Sequence, residues 1–147
     1  MKKILLAFSF LCFATFLFAQ SADDVVGTWI NPKGTGKIKI FRTGDYFYGN
    51  LVWLDQPLDA QGKPKLDKEN PDVSKRTRKI QGLLMLTGFT FDADDKVWQN
   101  GQIYDPKNGK TYSCKMTLSA DNNQLDIRGY IGISMIGRSE TWKRVDP

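Results

Sequence analysis

The sequence predicts an all-β protein, an eight-stranded antiparallel up-and-down barrel with one long polar loop around 55–79. Three observations lead there. From Val26 onward apolar residues recur with period two, Gly, Asn, Asp and Pro break that pattern at short intervals, and no window carries a convincing helical stripe. Eight hairpin-linked strands close naturally into a tube, because closure leaves no unpaired edge.

Each element follows from its local pattern. Strands are expected near 26–31, 36–43, 46–54, 83–91, 97–104, 110–118, 124–132 and 137–145. Lys37-Ile38-Lys39-Ile40 alternates cleanly, as do Thr111 to Leu118 and Gln124 to Arg128, so each offers one apolar and one wet face. Between strands, Asn31-Pro32-Lys33-Gly34, Thr43-Gly44-Asp45, Asp105-Pro106-Lys107-Asn108-Gly109 and Asp121-Asn122-Asn123 supply fixed corners and residues that accept positive φ. Residues 55–79 break the rhythm: they are polar throughout and too long for a turn, which fits a functional lid or a solvated excursion. Within them, Pro71 after Asn70 suits the start of a short helical turn. Gly129 to Gly137 is the most apolar stretch beyond the leader. It reads either as a buried strand bent at its glycines or as an exposed hairpin that meets a partner.

The chain opens with Lys2 and Lys3, an apolar run from Ile4 to Phe18, and Ala19 before Gln20-Ser21. That is the layout of an export signal over 1–19, and the run falls short of the roughly 20 residues that cross a bilayer as a helix. A single domain over 20–147 is then expected, in the periplasm or secreted. Losing Lys2 and Lys3 lowers the formal charge from +5 to +3, with basic and acidic residues interspersed. No basic stripe marks a nucleic-acid partner.

Histidine is absent, which removes the usual general base, imidazole-dependent triads and the commonest zinc ligand. Cys12 lies in the leader, so Cys114 is left without an internal partner and the exported fold must hold by packing. Its place in the alternation Tyr112, Cys114, Met116, Leu118 reads as a buried, inert thiol.

Gly27-Thr28-Trp29 in the first strand and Trp142-Lys143-Arg144 in the last resemble the end-to-end signature of lipocalin-type barrels. The resemblance implies that Arg144 packs over Trp29, with Trp142 beside the closure. Four further runs, 76–83, 101–112, 125–132 and 137–144, resemble the family called domain of unknown function 2147, small exported bacterial proteins with a lipocalin-like barrel. Many members carry cysteines where Tyr48 and Gln81 stand here. If those cysteines pair, the resemblance implies that Tyr48 and Gln81 are neighbours and that the loop, unstapled here, moves more freely.

On function, the leading expectation is an exported binding protein for a small hydrophobic or amphiphilic ligand, with an anionic head group as one option. Arg76, Arg78, Arg128 and Arg138 are candidates for such a head, since a guanidinium offers a planar fork to carboxylate or phosphate. Tyr48, Trp53, Tyr104 and Tyr112 are candidates for pocket walls. Other aromatics, among them Phe47, Phe89 and Trp98, serve equally as core or lining. The alternative is a non-catalytic envelope interaction module with a filled barrel and a protein partner. An enzyme would have to work through carboxylates and tyrosines such as Asp105, Tyr104 and Tyr112, and the turn chemistry of Asp105 explains that residue without catalysis. No metal or cofactor motif is present, and none is expected.

Overall fold

The structure, a computed structural model, describes residues 20–132 and 137–145. The expected leader and the tip of the apolar stretch at 133–136 lie outside the described residues. The strands are β1 (Gly27–Ile30), β2 (Gly36–Thr43), β3 (Tyr46–Leu54), β4 (Leu84–Asp92), β5 (Val97–Asp105), β6 (Lys110–Leu118), β7 (Gln124–Tyr130) and β8 (Gly137–Val145). They form a closed barrel in sequence order, every neighbouring pair antiparallel, with β1 returning to β8 through Trp29 opposite Arg144.

Alternation decides what enters the lumen. Trp29, Ile38, Ile40, Phe47, Leu86, Phe89, Trp98, Cys114, Met116, Leu125, Ile127 and Trp142 belong to one buried cluster. Burying each large apolar side chain contributes on the order of 1.5–3 kcal/mol, which lets the fold stand without a disulfide. Cys114 is free and fully buried, and burial pushes its thiol pKa up to about 12, so it stays protonated and inert at neutral pH.

One end of the barrel is sealed. A 3₁₀ turn, Ala22–Val25, crosses it and accepts hydrogen bonds from two indoles, Trp29 Nε1 to Val25 O at 2.9 Å and Trp98 Nε1 to Ala22 O at 3.0 Å. The Arg144 guanidinium lies 4.2 Å from the Trp29 ring centre and donates to the carbonyls of Asn122, Asp24 and Val26. Cation–π attraction of this kind is worth about 0.5–2 kcal/mol. The close approach requires Gly27, where a Cβ would stand 2.5 Å from Arg144 Nη1.

The lumen above this seal is packed. Phe47 and Trp98 meet edge to face with centroids 6.4 Å apart, and the Phe89 ring occupies the space where Gly101 has no side chain. At the opposite end Leu54 and Ile80, at the two ends of the connection between β3 and β4, pack against the core.

That connection is a built element and not a loose excursion. It pairs with itself at Leu58 and Pro64 and again at Leu66 and Lys79, and it contains a 3₁₀ turn, Val73–Lys75, capped by Asp72. The expected neighbours Tyr48 and Gln81 do not pair. Gly82 N donates to Leu51 O and Gly49 stands opposite Leu86, so Gln81 runs beside the far end of β3 while Tyr48 sits mid-strand.

Candidate functional site

The strap at 66–80 lies against the outer wall of β4, β5 and β6 and is pinned there by one carboxylate. Asp67 is fully buried although it sits in a charged run. Its Oδ1 accepts from Tyr104 Oη at 2.5 Å, and its Oδ2 accepts from Asn70 Nδ2 at 2.8 Å and from Arg78 Nε and Nη2 at 3.0 Å each. Asn70 Nδ2 also reaches Tyr104 Oη at 3.1 Å. Burial raises the Asp67 pKa, but the Tyr104, Asn70 and Arg78 hydrogen bonds and the Arg78 charge outweigh it and hold the carboxyl below its ordinary value. Burial first, and then the bond and charge of Asp67, push the Tyr104 hydroxyl above its ordinary value. The hairpin between β5 and β6 adds a second contact, because the backbone at Gly109 approaches the Glu69 carbonyl so closely that a Cβ would stand 1.8 Å from its oxygen.

Between strap and barrel wall opens a cleft of about 300 Å³. Asn70, Pro71, Asp72, Lys75 and Arg78 line its strap side, and Leu84, Met85, Thr87, Gln102, Tyr104 and Thr111 line its barrel side. Register explains the wall: Leu86 opposite Ile103 points inward, so Thr87 opposite Gln102 and Tyr104 opposite Thr111 point outward. A second groove, about 340 Å³, runs along the loop between Leu58, Pro64, Lys65 and Lys79. None of the buried lumen residues lines either space.

Of the residues singled out in the sequence, Arg78 and Tyr104 come together here, and Arg76 supports the strap through Nε to Asn70 O at 2.7 Å. The others are dispersed. Trp53 and Tyr48 lie on the outside and not in a pocket, because Phe47, Gly49 and Leu51 take the inward positions of β3. Tyr48 stacks on Phe41 at 5.9 Å, and Lys37 Nζ lies 4.9 Å from the Trp53 ring centre. Arg128 faces outward and donates to Ser139 Oγ at 2.9 Å. Tyr112 points to the lumen near the mouth and accepts from Asn108 Nδ2 at 2.9 Å, while Arg138, largely exposed, pairs with Glu140 at 3.6 Å. Asp105 accepts from Lys107 N at 3.0 Å within its turn, the local role that its motif predicts.

Sequence reasoning missed Asp67, Asn70, Thr87, Gln102 and Thr111. Asp67 and Asn70 carry a usable signal, since an Asp with an Asn three residues on is turn-forming chemistry inside a segment that the sequence leaves open as lid or solvated excursion. The three wall residues carry none, because polar positions on an outer face look alike. Among the described residues no cluster of three or more His, Cys, Asp or Glu is placed to hold a metal ion. No helix among them is long and apolar enough to cross a membrane.

Comparison with solved structures finds a match to protein HP1028 from the human pathogen Helicobacter pylori, described as belonging to the lipocalin family. The TM-score is 0.69 at 22% sequence identity, covering 83% of each chain. At that identity the likeness establishes the barrel fold alone. No functionally curated protein matches the sequence. The family model for an uncharacterized protein conserved in bacteria, DUF2147, matches residues 27–144, from the first strand to the arginine that seals the barrel, and the chain belongs to that family.

Proposed function

We propose that this is an exported, non-catalytic binding protein for a small amphiphilic molecule, held in the cleft beneath the strap. The observation that carries the reading is the cleft's two-sided chemistry on a rigid wall. Pro71, Leu84 and Met85 offer apolar surface, while Thr87, Gln102, Thr111, Lys75 and Arg78 offer polar groups a few residues away. Its volume of about 300 Å³ lies at the small end of the roughly 300–1,000 Å³ range of ligand sites. A packed lumen argues against a ligand swallowed by the barrel. Acid–base catalysis is disfavoured at the Asp67–Tyr104 cluster, since Asp67 is lowered and Tyr104 raised, both away from neutrality. The expected leader at 1–19 supports export.

The packed lumen also favours a second reading, an envelope interaction module that engages a protein through its surface. One experiment separates the two. Protein purified from its native envelope is denatured in aqueous methanol, which releases polar and apolar small molecules alike, and the extract is analysed by mass spectrometry, alongside a Thr87→Arg variant whose cleft is obstructed. The expected result is a small amphiphile near one equivalent in the wild type and its loss in the variant. An empty extract, with a co-purifying protein in its place, would overturn the binding reading.

A further inference from the structure

We infer that the cleft takes a neutral, hydroxyl-rich molecule, a saccharide in chemical class; this rests on the reading of the cleft as a ligand site and narrows it. The first ground is charge. The two carboxylates at the site, Asp67 and Asp72, are matched by Arg78 at 3.0 Å and Lys75 at 3.1 Å. An anion arriving here would have to compete with those carboxylates for the same cations, so the site makes no net electrostatic demand. Arg76 is engaged as well, through the Asn70 carbonyl.

The second ground is what remains unmatched. Thr87, half-buried, and Gln102 and Thr111, both exposed, make no side-chain hydrogen bond to any described residue, whereas Asp67, Asn70, Asp72, Arg76 and Arg78 on the strap are all bonded. They stand on adjacent strands, Thr87 directly across from Gln102 and Thr111 directly across from Tyr104. A side-chain amide and two hydroxyls on a flat sheet surface both donate and accept, which is what successive sugar hydroxyls require and what an alkyl chain cannot use.

The third ground is the apolar part of the wall. Tyr104 is held by Asp67 and Asn70, and it lines the cleft together with Met85, both half-buried. A pyranose offers hydroxyls at its rim and C–H groups on its face, and so matches polar and apolar surface within one small footprint. The space, about 300 Å³, suits one or two sugar rings better than a long lipid.

The test is isothermal titration of the full-length mature protein with three probes: maltose, glucuronate and decanoate. Maltose is expected to bind with an affinity that does not change between low salt and about 0.5 M NaCl, since no ion pair forms. Gln102→Ala and Thr87→Val, both away from the core, should each weaken it by about tenfold, the loss expected for one or two hydrogen bonds. Unchanged thermal midpoints would show that both variants are folded. Decanoate binding that is lost in Thr87→Arg, with no heat from maltose, would overturn the saccharide assignment and leave the amphiphile reading intact. Stronger binding of glucuronate than of maltose, weakened by salt, would overturn the charge argument. Silence from all three probes together with an empty solvent extract would remove both readings.

Discussion

Gly109 ends an Asp-Pro-x-Asn-Gly turn, and its φ of +69° is reason enough for a glycine. The Glu69 carbonyl gives a second reason that no local motif contains, since a side chain there would collide with backbone and not with a flexible tip. Gly109→Ala should therefore cost more than the ~1 kcal/mol of a left-handed alanine, about 1–3 kcal/mol in total, and should loosen the strap while the barrel stays closed. Denaturant unfolding gives the cost, and hydrogen exchange gives the place. Faster exchange confined to amides of the strap is expected; unchanged protection there would mean that this contact does not hold the strap. The turn was legible in the sequence and its second partner was not, because Glu69 and Gly109 meet only after β4 and β5 have been laid down between them. Asp67 shows the same limit, since its partner Tyr104 lies 37 residues away and a carboxylate beside Lys68 and Glu69 looks like any other member of a charge run.

The strands were legible as elements because alternation and turn chemistry agree along them. β2, β3, β6 and β8 run over the expected 36–43, 46–54, 110–118 and 137–145. β4 begins one residue late because the register against β3 shifts near its start, where Asn50 faces Leu84 but Gly49 faces Leu86. The strap, in contrast, is held by charge and hydrogen bonds, so its stability should depend on pH in a way that the barrel's need not. Asp67 has its folded pKa held below the ordinary 3.8, so its contribution is complete above that value and is lost as pH falls through the lowered one. Tyr104 has its folded pKa raised above the ordinary 10.0, so its contribution is present below that value and is lost as pH rises through the raised one. Strap protection should thus be flat from about pH 5 to pH 9 and fall on either side. Asp72, on the strap itself and with its pKa also lowered, adds to the acid limb from an exposed position. Asp67→Asn isolates the buried carboxylate: its loss of protection below about pH 4 should be shallower than the wild type's, and identical acid limbs would refute the assignment.

At the scale of the whole molecule, a barrel with one sealed end was readable from Trp29 and Arg144, but the state of its lumen was not. The aromatic side chains supply a core and a ligand pocket equally well, and only their placement distinguishes the two. The structure sends Phe47, Phe89 and Trp98 inward, keeps Tyr48, Trp53 and Tyr104 on the outer wall, and leaves glycine at 101 so that the Phe89 ring can fill the tube. The proposed binding site therefore lies not in the interior, where an eight-stranded barrel can hold one small ligand, but at the wall where the strap adds a second surface. Phe89→Ala tests that shift. The variant should lose about 3–5 kcal/mol, because Gly101 opposite the missing ring has no side chain with which to collapse into the space. The void should be apolar, dry and large enough for a benzene-sized guest. Benzene should accordingly raise the thermal midpoint of Phe89→Ala and leave the wild type unmoved, with Trp98 fluorescence reporting entry beside the void. A comparable rise in the wild type would mean that its lumen admits guests as it stands, and the interior would return as the binding site.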